Sequence, residues 1–251
     1  MLPSPAHLTK CIPLLSYSFA SSTFALSQQD DGISNGTALW LGGQCLAMYL
    51  AQTHTRLKPS ISNSSRPPRA IELGSGIGLT ALALCSLGWD VLATDIPHVI
   101  SSVLKKNIKN NLPNLPIGSG IIQISELDWS VPPDKWAWDH EHAIASHSAL
   151  TPAAEVSILQ PPFDLIFSAD TVYKTELSAS ASRFPPILLC IECRDPGLVD
   201  DLLKSASENW KFSVERVPHK KILKALEKRV DWEKSEWEGI ELWKLKLTVA
   251  E

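Results

Sequence analysis

Three glycines lie where a ligand could be held against the backbone. Gly74, Gly76 and Gly78 occur in the stretch ELGSGIG, which continues an apolar segment at 70–73. Glycine at a junction between a strand and a helix permits a tight turn and a close approach of a ligand. The third glycine comes one residue too early for the dinucleotide pattern G-x-G-x-x-G, and no P-loop lysine follows. The spacing therefore disfavours a nicotinamide-dependent oxidoreductase and a P-loop phosphate site.

An acidic residue is predicted at the end of the next strand. Asp95, in the stretch ATDIP, lies nineteen residues after Gly76. A carboxylate at this place can accept hydrogen bonds from both hydroxyls of a ribose, as it does in nucleotide-binding folds. The alternative is that Asp95 caps the helix predicted after it. The glycine loop that precedes Asp95 favours the ribose.

An acid and an aromatic ring follow a third apolar strand. Asp170 and Tyr173 come directly after the segment at 163–169, where an open parallel sheet presents its ligand crevice. The carboxylate could orient an incoming amine, and the ring could line a channel and contact a cation. The alternative is that Asp170 only caps a helix and that Tyr173 only packs.

Alternating strands and helices are predicted to position these residues. Apolar runs predict strands at 70–73, 90–94, 120–125, 163–169, 186–192, 211–217 and 240–249, and helical patterns predict helices at 37–51, 78–87, 97–110 and 196–209, with a basic amphipathic candidate at 218–229. Continuous apolar strands between helices are typical of an α/β domain with a mostly parallel sheet and helices on both faces. The period-two pattern of the last segment predicts an antiparallel C-terminal hairpin with 211–217.

In combination these motifs resemble the class I S-adenosylmethionine-dependent methyltransferases, whose fold is a Rossmann-like, seven-stranded sheet. The resemblance rests on ELGSGIG (72–78), ATDIP (93–97), ELDW (126–129) and SADTVY (168–173). The stretch GTALWLGGQCLAMYL (36–50) is similar to the segment before the core in methyltransferase family 16. Members of that family are mostly protein-lysine methyltransferases that act on molecular chaperones, AAA ATPases and elongation factors.

The resemblance implies which residues form the site. The set implied to contact S-adenosylmethionine comprises Trp40, Glu72, Gly74, Ser75, Gly76, Asp95, Asp128, Trp129 and Ala169. Within this set, Asp128 is expected to reach the edge of the adenine. The Asp-x-x-Tyr signature of the family falls on Asp170 and Tyr173, which are therefore the expected catalytic residues.

The implied activity is S-adenosylmethionine-dependent methylation of a lysine amine in a protein substrate such as a chaperone, an AAA ATPase or an elongation factor. The methyl of a sulfonium is already activated, so the enzyme must mainly align it with an unprotonated amine. Two alternatives stay open. One is a small-molecule N- or O-methyltransferase, and the other is a catalytically impaired, truncated protein that binds the cofactor or a partner.

The second alternative arises from a short connection after the fourth predicted strand. Only eleven residues, 174–184, separate Tyr173 from Pro185. A crossover between parallel strands usually needs a dozen or more residues, including a helix. The crossover is therefore expected to be shortened, either with a stunted helix around 174–181 or with a poorly covered sheet.

Composition restricts the partners and the compartment. The net charge is -4 and the pI is about 6.0, so the composition does not indicate the basic surface that binds a nucleic acid. No apolar run approaches the roughly 18 residues of a membrane span. Five scattered cysteines favour a reducing compartment, and the apolar N-terminal stretch is a poor targeting peptide. We expect a monomer in the cytoplasm, with the nucleus as a second compartment, and neither a nucleic acid nor a membrane as a partner.

One methyltransferase domain is expected at 35–251, after an N-terminal extension at 1–34 and with a long flexible insertion at 131–162. No metal site is expected, because the histidines of the insertion lack the spacing of metal ligands and the C-x-x-C pair lies in a predicted strand and its exit.

Four tryptophans lie next to charged residues in the sequence: Trp136, Trp138, Trp232 and Trp237. They either form an exposed rim that binds another protein or pack in small apolar clusters outside the main core.

Overall fold

An eight-stranded, mostly parallel sheet forms the centre of the protein. The computed structural model describes residues 2–29, 35–58, 66–148, 159–171 and 185–248. In chain order its strands are β1 (Leu14–Phe19), β2 (Ser22–Ser27), β3 (Arg69–Leu73), β4 (Asp90–Asp95), β5 (Ile122–Leu127), β6 (Ala143–Ala145), β7 (Leu165–Ala169), β8 (Ile187–Glu192), β9 (Phe212–Arg216) and β10 (Ile240–Leu247). The large sheet has the order β6-β5-β4-β3-β7-β8-β10-β9, and β1 and β2 form a separate antiparallel pair.

Helices cover both faces of the large sheet. They are α1 (Leu41–Leu57), α2 (Leu79–Ser86), α3 (Pro97–Val99), α4 (Lys105–Asn111), α5 (Pro196–Glu208) and α6 (His219–Leu226), and a π-helical turn, Ile100–Leu104, joins α3 to α4. Short 3₁₀ turns occur at Ala6–Leu8, Asn35–Thr37, Leu112–Asn114, Pro133–Lys135 and Lys234–Glu236. Helices α1, α2, α4 and α6 contribute to one apolar cluster, and α5 contributes to another together with β8 and β9. No helix in these ranges is long and apolar enough to cross a membrane.

The predicted α/β architecture is confirmed. All seven predicted strands are present within a few residues of their expected bounds, and β10 pairs antiparallel with both β8 and β9. The remaining neighbours in the large sheet are parallel, as the continuous apolar runs predict. Cys190 lies buried in β8 and Cys193 just after it, and both are free thiols, as expected for a strand and its exit.

Three features differ from the prediction. Helix α1 begins at Leu41 instead of residue 37, because Asn35–Thr37 forms a 3₁₀ turn. The hairpin of β1 and β2 and the three-residue β6 were not predicted. The shortened crossover at 174–184 lies outside the described residues.

The strand order reverses between β3 and β7. From β3 the chain continues outward through β4 and β5, whereas β7 and β8 lie on the opposite side of β3. In an open α/β sheet, such a reversal leaves a crevice at the carboxyl ends of the central strands, where ligands bind. The crevice is therefore expected between the ends of β3 and β7.

Two buried asparagines attach the hairpin to α4. Asn107 accepts a hydrogen bond from the amide of Ser27 (2.8 Å) and donates to the carbonyl of Ser27 (2.8 Å) and to that of Ile77 (2.9 Å). Asn111 bonds the amide and the carbonyl of Ala25 in the same manner, at 2.8 and 2.9 Å. The two side chains thus satisfy the free edge of β2, as a neighbouring strand would.

We predict that replacing Asn107 by alanine lowers the free energy of unfolding by about 2 to 3 kcal/mol, because it leaves buried backbone groups of β2 unpaired. The matched control is Asn110→Ala, an exposed position in α4, which should change it by less than about 0.5 kcal/mol. Urea denaturation of both variants measures the difference. Equal effects of the two substitutions would contradict the role of Asn107.

Candidate functional site

The glycine loop after β3 contains residues in the left-handed region of the backbone, which favours glycine. Gly74 and Gly76 have φ values of 73° and 54°. A Cβ atom at Gly74 would lie 2.5 Å from Cγ2 of Thr171, and one at Gly76 would lie 3.1 Å from the carbonyl oxygen of Gly36. The positive φ disfavours a side chain at both positions. In addition, the close neighbours leave no room for a side chain at Gly74 and little room for one at Gly76.

Asp95 connects this loop to the end of β4. Its carboxylate accepts hydrogen bonds from the amides of Gly76 and Ile96, both at 2.8 Å. Burial raises the pKa of Asp95 to about 6, although the two amides act in the opposite direction. Helix α3 has Ile96 at its N-cap position and no side-chain cap, so the alternative in which Asp95 caps this helix is wrong. Binding of a ribose by Asp95 stays a prediction.

Glu72 places a second carboxyl group beneath the loop. It is 2% exposed, and its Oε2 has no hydrogen-bond partner within the described residues. Burial raises the pKa of Glu72 to about 8, and the nearby Asp95 raises it further. A buried, unpaired carboxyl oxygen favours a ligand that brings a positive charge or a hydrogen-bond donor.

The carboxylate of Asp170 joins three parts of the fold at the other side of the crevice. Oδ2 accepts a hydrogen bond from the amide of Gly42 (2.8 Å), and Oδ1 accepts one from the amide of Glu192 (2.7 Å). The amide of Asp170 itself donates to the carbonyl of Cys190 (2.9 Å). These three contacts hold the start of α1 against the ends of β7 and β8.

Asp170 thus caps helix α1, although it is far from that helix in the sequence. Gly42 is in the first turn of α1, where backbone amides have no partner inside the helix, and Trp40 at the N-cap position provides no side-chain cap. A carboxylate at a helix N-terminus is also favoured by the helix dipole. Burial raises the pKa of Asp170 to about 6, against the opposite effect of the two amides. The predicted catalytic role of Asp170 stays a prediction.

Trp40 lies two residues before Gly42 and is partly exposed. Its indole nitrogen donates to the carbonyl of Asn35 (2.5 Å). Two cations contact the ring: Nζ of Lys10 is 4.4 Å and Cζ of Arg194 is 4.6 Å from the ring centroid. An aromatic face with this environment is suited to bind positively charged groups.

The remaining predicted cofactor residues approach from β5 and β7. Asp128 accepts hydrogen bonds from the amide and the hydroxyl of Ser130, at 2.9 and 2.6 Å, and that hydroxyl also contacts Nε2 of His147 (2.8 Å). The ring of Trp129 comes within 3.7 Å of the position that a Cβ on Gly74 would take. Ala169 is the last residue of β7.

The structure therefore brings most of the predicted residues together at the reversal of the sheet. Tyr173 lies outside the described residues, and its role stays a prediction. Sequence reasoning missed Gly42, Thr171 and the amide of Glu192. The first two lie in quoted motifs, but their role depends on contacts across the fold that the sequence pattern does not contain.

The four tryptophans next to charged residues contribute to packing. Trp136 and Trp138 contact each other and pack against one apolar cluster, Trp232 packs against the main cluster, and Trp237 is 2% exposed and stacks on His219. Packing is therefore favoured over a docking rim. In the part of the chain that the structure describes, no group of three or more His, Cys, Asp or Glu residues could hold a metal ion.

Comparison with known proteins identifies relatives. A family model described as "Lysine methyltransferase" matches residues 19–148, which is just over half of the chain. Protein-lysine N-methyltransferase rrg1 of Schizosaccharomyces pombe is 29% identical over 124 residues, covering 49% of this chain and 35% of rrg1. Protein-lysine methyltransferase METTL21E of Bos taurus is 27% identical over 172 residues, covering 67% of this chain and 48% of that protein. The chain thus spans about a third to a half of the length of these relatives.

We predict that Gly42→Ala and Gly43→Ala have opposite effects on stability. A Cβ at Gly42 would lie 2.3 Å from Oδ2 of Asp170 and would displace the carboxylate, whereas one at Gly43 meets only Oγ1 of Thr80 at 3.7 Å. We expect Gly42→Ala to cost about 1 to 3 kcal/mol through the lost hydrogen bonds, and Gly43→Ala to gain up to about 1 kcal/mol from helix propensity. Urea denaturation tests this; a neutral Gly42→Ala would contradict the close contact.

Proposed function

The chain belongs to the lysine methyltransferase family, and we propose that it transfers the methyl group of S-adenosylmethionine to the amine of a lysine side chain in a protein. The observation that carries the proposal is the convergence of the glycine loop, Asp95 and Glu72 at the reversal of the sheet. The cofactor supplies an activated methyl group on a sulfonium. The finer expectation, a chaperone, an AAA ATPase or an elongation factor as the substrate, is supported by the sequence resemblance alone. The cytoplasmic location is supported only by the scattered cysteines.

The chemistry of the residues that form the site fits this cofactor. Gly74 and Gly76 permit the left-handed turns of the loop, and the carboxylate of Asp95 at the end of β4 would accept hydrogen bonds from a ribose. Glu72 has a carboxyl oxygen with no hydrogen-bond partner among the described residues, which suits the positive charges of a sulfonium and an amino group. Asp128 and Trp129 would contact the adenine side, and Ala169 and Trp40 would close the crevice.

The nucleophile must reach the methyl group as an unprotonated amine. A lysine ammonium ordinarily has a pKa of about 10.4 and therefore has no free lone pair at neutral pH. Desolvation beside aromatic rings lowers that pKa, and water can carry the proton away. We assign one wall of this channel to Trp40. Tyr173, the other aromatic residue expected there, lies outside the described residues.

Asp170 has two roles in the proposal. Through Gly42 and Glu192 it positions the start of α1, and with it Trp40, at the crevice. Its carboxylate also supplies negative charge close to the place where the lysine enters, which would orient the ammonium before it is deprotonated. The first role is a positioning role and the second is catalytic.

We predict that the protein binds S-adenosylmethionine and not NADH in calorimetric titrations. Asp95→Ala should weaken the binding of S-adenosylmethionine by about tenfold or more, since it removes a charged acceptor for a ribose and releases the glycine loop. The exposed Asp231→Ala is the matched control and should bind like the unchanged chain. Binding of NADH, or binding of neither compound by a folded sample, would refute the proposed function.

We also predict that cofactor binding near neutral pH releases up to about one proton from Glu72. Because the pKa of Glu72 is raised to about 8, its carboxyl group is largely protonated in the free protein at pH 7. A positively charged ligand beside it lowers that pKa, so the proton leaves on binding. Titrations in two buffers with different ionisation enthalpies measure the released protons.

Glu72→Gln should abolish this proton release while the exposed Glu227→Gln keeps it. If the binding enthalpy does not depend on the buffer in the unchanged chain, Glu72 does not ionise on binding, and its assigned place next to the positive charges of the cofactor is wrong.

A further inference from the structure

An exposed lysine of the N-terminal segment contacts Trp40, a residue predicted to belong to the site. Nζ of Lys10 lies 4.4 Å from the centroid of the Trp40 ring, well inside the roughly 6 Å over which an ammonium is attracted to an aromatic face. In the described ranges Lys10 forms no ion pair with a carboxylate. Its amino group therefore lies against the ring of Trp40, which the guanidinium of Arg194 also contacts.

The backbone on both sides of Lys10 is anchored. The side-chain amide of Gln28 donates to the carbonyls of Thr9 (2.5 Å) and Ile12 (2.7 Å), one on each side of the lysine. The hydroxyl of Thr9 donates to the carbonyl of Ala6 (3.0 Å), a residue of the main apolar cluster. These hydrogen bonds therefore hold the backbone turn that contains Lys10 in place.

Contacts further toward the N-terminus hold the same segment on the body of the protein. The indole nitrogen of Trp232 donates to the carbonyl of Pro3 (2.8 Å), and the side-chain amide of Gln44, in α1, donates to that of Ser4 (2.9 Å). The segment that contains Lys10 is therefore attached to the helix whose first turn Asp170 caps.

The ring under Lys10 belongs to the site. Trp40 is two residues before Gly42, whose amide is bound to Asp170 at the end of β7. The turn that precedes Trp40 lies against the glycine loop, because the carbonyl oxygen of Gly36 is 3.1 Å from the Cβ position of Gly76. A lysine amine on this ring is therefore close to the elements proposed to hold the methyl donor.

We propose that Lys10 is a methyl acceptor within its own chain. This inference rests on the proposed function, with S-adenosylmethionine as the methyl donor. The unprotonated amine of Lys10 gives its lone pair to the methyl carbon, the new C–N bond forms as the C–S bond breaks, and S-adenosylhomocysteine leaves. The proton of the ammonium passes to solvent water, to which Lys10 is exposed. The methylated amine keeps its positive charge and its attraction to the Trp40 ring.

The test uses the purified full chain and S-adenosylmethionine with an isotope-labelled methyl group. Peptide mass spectrometry should find the label at Lys10. Lys10→Arg keeps a cation next to the ring but removes the lysine amine, so label at this position should disappear. Lys106→Arg, an exposed lysine in α4, is the matched control and should leave the label at Lys10 unchanged. Calorimetry with S-adenosylmethionine on each variant separates loss of labelling from loss of cofactor binding.

Dilution distinguishes transfer within one chain from transfer between chains. An intramolecular reaction depends on an effective concentration set by the fold, so the labelling rate per chain should stay constant over an about hundredfold dilution. A rate that falls in proportion to the protein concentration would overturn the proposal.

Two other outcomes separate the failure of this inference from that of the proposed function. If the chain binds S-adenosylmethionine and labels lysines of other proteins in a lysate, but Lys10 stays unlabelled, the acceptor assignment is wrong and the proposed function stands. If the folded chain neither binds the cofactor nor labels any lysine, the proposed function and the acceptor assignment fall together.

Discussion

The carboxylate of Asp170 is the contact on which the geometry of the site depends. It binds an amide of α1 and an amide at the end of β8, and so joins elements separated by more than a hundred residues in the chain. Asp170 has a φ of 53°, a left-handed conformation that is unfavourable for most residues other than glycine. The three hydrogen bonds at this residue offset that cost. Trp40, Gly42 and the glycine loop consequently share one crevice.

A second constraint is the burial of acidic groups around the glycine loop. Glu72 and Asp95 both have a raised pKa because the fold removes them from water. A buried carboxylate is costly unless its charge is compensated, so these two groups favour a ligand that brings positive charge or hydrogen-bond donors. A sulfonium with an amino group provides this compensation, whereas a nicotinamide dinucleotide would bring further negative charge through its phosphates.

Much of the fold could be predicted because its strands carry strong local signals. Buried parallel strands such as β4 and β8 appear as continuous apolar runs, and β10, an antiparallel strand between β8 and β9, alternates with period two. The β1 strand also alternates between exposed and buried residues, with serines between buried apolar side chains, so the sequence does contain a local signal for this strand. The three residues of β6 are too few to show any period.

The site was predictable only in part, for a different reason. Glycine spacing and the acid after β4 are local patterns, so Gly74, Gly76 and Asp95 were found from the sequence. The partners of Asp170 are backbone amides, which have no sequence signal, and its function as a cap for α1 depends on the folded topology. Likewise, the raised pKa of Glu72 follows from burial by residues distant in sequence.

Hydrogen exchange at the amide of Gly42 tests the central claim most directly. This amide lies in the first turn of α1 and therefore has no acceptor within the helix, so slow exchange must come from the Asp170 side chain. The account predicts strong protection of the amides of Gly42 and Glu192 in the unchanged protein. Exchange of Gly42 at the rate of an unstructured peptide in the folded protein would show that Asp170 does not hold α1 at the site.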